Sequence, residues 1–198
     1  MEKYKIIAVM GKAGSGKDSF VKALIDGKYI ENLKPIVSCT TRPIREHEQD
    51  GVDYYFITKE DFTNKVLNGD MLEATVFNDW CYGTAKSTLD PNAINIGVFN
   101  PEGIEILQGE YKDTIDLLVV YLIADDKVRL LRQLNREEHP DCNEIVRRFT
   151  TDQIDFSQDR INHIAPNITK ENSGDSTIDE LAQWFSIDYT SYNILDKI

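Results

Sequence analysis

An apolar run, Lys5-Ile6-Ile7-Ala8-Val9-Met10, leads into Gly11-Lys12-Ala13-Gly14-Ser15-Gly16-Lys17-Asp18-Ser19 and then into an amphipathic segment opening at Phe20. Within this short span a strand must stop, the backbone must curl and a helix must start. The glycines let successive N–H groups turn inward around an anion, the helix beginning near Lys17 adds the positive end of its dipole, and the Lys17 ammonium reaches outer phosphates. The spacing of Phe20, Ala23 and Leu24 up to Gly27 predicts the helix such a loop requires. Residues 11–19 therefore read as the phosphate-binding loop of a nucleotide site. Only one position departs from that pattern. Asp18 stands where a Ser or Thr hydroxyl normally holds Mg²⁺, which leaves Ser19, or Asp18 through water, to contact the metal.

A chain of 198 residues supports one domain with subdomains. Its net charge of −12 argues against binding the backbone of DNA or RNA in bulk, because the mean field repels polyanions. A small phosphate ligand needs only local positive charge. Arg42 and Arg45 form one cluster and Arg129, Arg132, Arg136, Arg147 and Arg148 a second, with Arg160 outside both. This segregation predicts two anion-gripping segments; Arg129, and then Arg132, are the ones a solvated helix face would account for. Cys39, Cys81 and Cys142 are far apart and odd in number, which implies a reducing compartment. His47, His139 and His163 are equally scattered and read as surface or packing residues, not as zinc ligands. Met1-Glu2-Lys3 opens without an apolar export core and no stretch approaches the length of a membrane span, so the expected location is the cytoplasm.

Apolar strand candidates recur at Ile6–Met10, Pro35–Ser38, Ile94–Phe99, Ile115–Ile123 and Arg160–Ile164, with helical patterns between several of them. The alternation predicts a parallel sheet covered on both faces. Asp125 can cap a helix through about Asn135 whose Val128, Leu130, Leu131 and Leu134 face the core. The box Thr177-Ile178-Asp179-Glu180 starts a last helix containing Leu181, Ala182 and Phe185. Residues 38–92 interrupt the alternation with shorter, more polar pieces: Tyr54–Thr58, a helix near Glu60–Leu67, and Met71–Phe77 followed by Trp80-Cys81-Tyr82. They read as an inserted, mainly β subdomain. Residues 135–151 hold Pro140, acidic pairs and three arginines with little apolar content, and read as a mobile lid with no place in the core. The remaining segments, 1–37, 93–134 and 152–198, would form the core.

Four further motifs follow in order: Ser38-Cys39-Thr40-Thr41-Arg42-Pro43-Ile44-Arg45, then Asp50-Gly51-Val52-Asp53-Tyr54-Tyr55-Phe56, then Gly69-Asp70-Met71-Leu72-Glu73, then Tyr82-Gly83-Thr84. Together they resemble the guanylate kinase family, from the phosphate loop through Arg148. The resemblance implies a P-loop three-layer α/β/α core with a parallel sheet, an inserted mainly-β monophosphate-binding subdomain and a short lid. It also implies ATP-dependent phosphorylation of GMP or dGMP with Mg²⁺, and small nucleotides as partners, with no nucleic acid and no membrane; the oligomeric state stays open. By that resemblance Glu73 reads guanine, whose N1–H and exocyclic amine one carboxylate can accept together. Ser38 and Thr84 match hydroxyls of the guanine pocket, and Arg42, Arg45, Tyr54 and Tyr82 match the grip on the monophosphate. Arg136, Arg147 and Arg148 match lid cations that approach the transferring group, although consecutive arginines on a helix diverge and one of the pair can be surface decoration.

Two positions depart from the family. Aligned on Gly103, its two aspartates after the central strand fall at Val98, which offers nothing to metal or water, and at Asn100, whose carbonyl can face the guanine amine. The alternatives are a deoxynucleoside monophosphate kinase of altered specificity, a guanylate-kinase-like binding module without turnover, and a nucleotide-regulated sensor. An intact Lys17 and lid arginines argue against the module.

Overall fold

The central sheet of the computed structural model, which describes residues 3–46, 48–77, 79–136, 138–174 and 176–195, is parallel and five-stranded. Its strands are β1 (Tyr4–Met10), β2 (Leu33–Pro35), β7 (Ile94–Val98), β8 (Ile115–Ile123) and β9 (Ile168–Glu171), in the order β2-β7-β1-β8-β9. β1 is apolar on both sides, as a strand covered on both faces must be. Its Ile7 and Val9 join Phe20, Ala23 and Leu24 of α1 (Lys17–Asp26) and Leu181, Ala182 and Phe185 of α7 (Ile178–Leu195) in one core. Its Ile6, Ala8 and Met10 meet Ile104 and Leu107 of α3 (Pro101–Glu110) and Ile164 of α6 (Gln158–Ile164) in another. Three layers result. A second sheet, in the order β4-β3-β6-β5, is built from β3 (Cys39–Thr40), β4 (Tyr55–Phe56), β5 (Met71–Phe77) and β6 (Trp80–Ala85), with α2 (Lys59–Leu67) against it through Phe62. Two more helices, α4 (Asp126–Leu134) and α5 (Cys142–Asp155), follow β8 and pack on one another.

Several expectations are corrected. Arg160–Ile164 is helical, within α6, because Ile161 and Ile164 are spaced for one helix face; Arg160 pairs with Glu105 and the Ile164 carbonyl accepts from Gln108, tying α6 to α3. The strand comes later, at β9, where Ile168 and Lys170 alternate with exposed neighbours along a sheet edge. β2 lies earlier than expected and keeps only Pro35 of the predicted span. In α4, Asp125 does cap, accepting from the Lys127 and Val128 N–H groups, yet Leu131 and Leu134 are exposed. Val128 and Leu130 are half-buried, as is Arg132, and Arg129 is fully buried rather than solvated. Within 135–151, α5 begins at Cys142 and buries Ile145, so this segment does contribute an inward-facing apolar residue. The Thr177 box forms as expected: the Thr177 hydroxyl accepts from the Glu180 N–H and the Glu180 carboxylate accepts from the Thr177 N–H. His47 lies outside the described residues.

Candidate active site

The phosphate loop closes between the end of β1 and the start of α1. Gly14 and Gly16 have φ of 79° and 91°, a left-handed backbone that L side chains resist, and a Cβ on Gly14 would stand 2.6 Å from the Arg129 carbonyl. Turning the N–H groups inward leaves the carbonyls pointing out, where each needs a donor. They have them. Ala13 O accepts from Arg129 Nε at 3.0 Å, Gly14 O from Arg132 at 3.3 Å and Ser15 O from Asn172 Nδ2 at 2.8 Å. Asn172, just past β9, in turn accepts from Arg132. Lys12 Nζ donates to Gln153, and Ala13 N–H donates to Asp152. Lys17 is half-buried and sits near enough to stabilise the Asp152 carboxylate. Asp18 and Ser19 are exposed on the first turn of α1.

The second sheet presents the other half of the site. Glu73 on β5 is opposite Thr84 on β6, whose hydroxyl and N–H both bond to its carboxylate. Thr84 Oγ1 lies 3.2 Å from Ser38 Oγ, so Glu73, Thr84 and Ser38 form one polar string in the pocket wall. The N-terminus of α3 stands beside it: a Cβ on Gly103 would lie 3.5 Å from Glu73 Oε2. Burial, partly offset by Thr84, pushes the Glu73 carboxyl up to about 7. Asn100 caps α3, its Oδ1 accepting from the Gly103 N–H at 2.8 Å while its amide reaches Thr75. Its carbonyl is thus engaged within the protein. Val98 ends β7 half-buried.

Beside that wall lies a cationic cluster. Arg42 is buried and forms a two-pronged ion pair with Glu48, both bonds 2.8 Å, and its guanidinium stands 5.5 Å from the Tyr54 ring centre. Tyr54 and Tyr82 meet edge to face with centroids 6.1 Å apart. Burial, and then the charge of Asp18, push the Tyr54 phenol up to about 12, so it remains a donor at any physiological pH. The same coupling places Asp18 within electrostatic reach of Tyr54, across from the phosphate loop. Arg45 has its pKa pulled down by burial, then by Arg42 and Arg148, with Arg136 contributing as well. The two arginine segments therefore converge. Arg147 and Arg148 both bond Glu144 one turn earlier on α5, and burial aside, that pair of guanidinium groups holds the Glu144 carboxyl at about 2.

The structure thus brings Glu73, Thr84 and Ser38 together, sets Tyr54 and Tyr82 beside Arg42, and has Asn100 cap α3 with one lone pair of its carbonyl. The sequence reading missed Glu48, Arg129, Asp152, Gln153 and Asn172. Arg129, Asp152, Gln153 and Asn172 act on partners distant in sequence, whereas Glu48 acts on nearby Arg42 and Arg45 without a recognisable motif; only the arginine clustering pointed toward any of them.

The guanylate kinase family model matches residues 3–185 of the chain. Guanylate kinases of Thermotoga maritima and Mycoplasma genitalium are 34% and 30% identical to it, spanning 69% and 89% of this chain and 67% and 73% of their own. That of Legionella pneumophila strain Paris is 34% identical, over 78% of this chain and 71% of its own. The crystal structure of guanylate kinase from Anaplasma phagocytophilum shares the fold with a TM-score of 0.63 at 20% identity, covering 97% of this chain and 87% of that one. With its family model matched over residues 3–185 and relatives of 30% or more identity over most of its length, the chain belongs to the guanylate kinase family and is a nucleoside monophosphate kinase.

Proposed function

We propose that the chain transfers the γ-phosphoryl group of ATP to GMP or dGMP, with ATP held by residues 11–19 and the acceptor by residues 38–92. Glu73 carries this reading: a buried carboxylate with two protein donors already on it still offers lone pairs to a guanine N1–H and amine, and few other ligands repay its desolvation. Thr84 and Ser38 orient it. Arg42 and Arg45 receive the monophosphate dianion, and the Tyr54 and Tyr82 phenols donate to its oxygens. One of these oxygens, already ionised, attacks the γ-phosphorus as the bond to the ADP oxygen breaks, so no general base is needed. Lys17, Arg136, Arg147 and Arg148 meet the charge that spreads over the transferring group, and residues 135–151 act as the lid that brings the last three inward and excludes water.

Asp18 and Ser19, exposed where α1 meets the loop, suit Mg²⁺, an ion that keeps several waters and takes few protein oxygens. When bound, it neutralises the β- and γ-phosphate oxygens. Substrates are free nucleotides, in keeping with the net charge of −12, and the expected setting is cytoplasmic purine metabolism. No described helix is long and apolar enough to cross a membrane. Guanylate kinases as relatives do not favour a binding module without turnover or a kinase of altered specificity. ADP formation with GMP and with IMP, which lacks the exocyclic amine, tests the base reading. KM should be higher for IMP; equal values would remove Glu73 from base recognition.

A further inference from the structure

Both backbone groups of Ala13, at the outer turn of the phosphate loop, are held by one pair of side chains. Its carbonyl accepts from Arg129 Nε at 3.0 Å and its N–H donates to Asp152 Oδ2 at 2.8 Å. Arg129 also donates to Asp152, which closes a ring of Ala13, Arg129 and Asp152, and to Asp126, while its guanidinium lies 5.1 Å from the Phe149 ring centre. Arg129 is fully buried. A buried ion pair is a weak source of stability, since an apolar pair of similar volume serves as well or better, so its presence against the loop calls for another reason. The Asp152 carboxyl is pushed up by burial and pulled back by the Ala13 N–H and Arg129.

Asp152 stands one helical turn beyond Arg148 on α5, and its neighbour Gln153 holds Lys12. The helix that presents Arg147 and Arg148 is therefore pinned to the phosphate loop at Ala13. We propose that Arg129 and Asp152 are positioning residues for phosphoryl transfer: they fix Ala13 so that the following N–H groups face the donor phosphates, and they set α5 so that its arginines reach the transferring group. The inference rests on the reading of residues 11–19 as the ATP site. Glu73 and Thr84 belong to the other sheet, Ser38 and Arg42 flank its β3, and none of the four bonds to Ala13, Arg129 or Asp152, so acceptor binding should not depend on the ring.

The test is steady-state kinetics of two variants, each with melting temperature recorded. The double replacement Arg129→Met with Asp152→Leu removes the charges and keeps approximate volume. It should melt close to the parent, yet lose roughly tenfold or more in kcat and raise KM for ATP several-fold, with KM for GMP changed by less than about twofold. Asp152→Asn, which keeps an oxygen for the Ala13 N–H, should show the same split at smaller size. Parental kcat and KM in the folded double variant would overturn the proposal, as would parallel rises in both KM values, which mark general loosening. If the double variant does not fold, Asp152→Asn decides by the same split. Lys17→Ala is assayed alongside; normal turnover there would refute the ATP-site reading itself, whatever the pair variants do.

Discussion

Glu73 is held in an environment that opposes its own ionisation. With its carboxyl raised from 4.5 to about 7, the empty folded protein holds this proton more tightly than the unfolded chain does. Its contribution to stability is fully present below pH 4.5 and is lost as pH rises from there through about 7. Guanine needs the opposite, because only the carboxylate accepts two donors. KM for GMP should therefore fall as pH rises through about 7 and then level off, measured from about pH 6 to about pH 8.5, with no such inflection in Glu73→Gln. The same variant should be more stable than the parent by about 1–3 kcal/mol at pH 8 in denaturant melts without ligand. A less stable Glu73→Gln would mean that the Thr84 bonds outweigh the desolvation. At the donor site, Lys17→Ala should lower kcat by orders of magnitude with an unchanged melting curve. Asp18→Asn keeps the size and removes the charge, so it should raise the Mg²⁺ concentration at half-maximal rate; an unchanged Mg²⁺ dependence with stability lower by about 0.3–1 kcal/mol would assign Asp18 to the helix dipole alone.

The elements show why some of this was legible in the sequence and some was not. Local signals are physical at short range, and they held: the glycine-to-helix turn at 11–20, the Asp125 cap, the Thr177 box and the apolar strand Ile6–Met10, buried on both faces. What failed depended on partners far along the chain. Arg129 looked solvated because its acceptors, Ala13 and Asp152, lie 116 residues before and 23 after it, and burying it rotates α4 so that Leu131 and Leu134 face outward. Ile161 and Ile164 fit one face of a helix, yet the run is too short for period alone to separate that from a strand buried on both sides until α3 is there to receive them. Among the candidate site residues, Ser38, Glu73 and Thr84 come together as one polar string, whereas the capping of α3 by Asn100 carries no signal toward guanine in the sequence. The lid reading of 135–151 predicts slower hydrogen exchange across the N-terminal half of α5 when a bisubstrate analogue is added. Exchange unchanged by the analogue would leave α5 a fixed support.

At the scale of the molecule, the fold places the phosphate loop and the polar string of Glu73, Thr84 and Ser38 at two different sheets. The parallel sheet holds the phosphate loop at the carboxyl ends of its strands, where such sheets open their ligand crevices, and the smaller sheet holds Glu73, Thr84 and Tyr82, to which the proposed function gives the acceptor. The charge is divided likewise: a chain with net charge −12 brings Arg42, Arg136 and Arg148 within electrostatic reach of Arg45, and the proposed function seats the acceptor's monophosphate at Arg42 and Arg45. The whole account rests on that acceptor being a guanine nucleotide. Its most direct test is nucleoside diphosphate formation by the unmodified protein with ATP and Mg²⁺, measured separately for GMP, dGMP, AMP and UMP. GMP and dGMP should be phosphorylated with kcat/KM exceeding those for AMP and UMP by roughly a hundredfold or more; equal rates for all four, or no diphosphate from GMP, would contradict it.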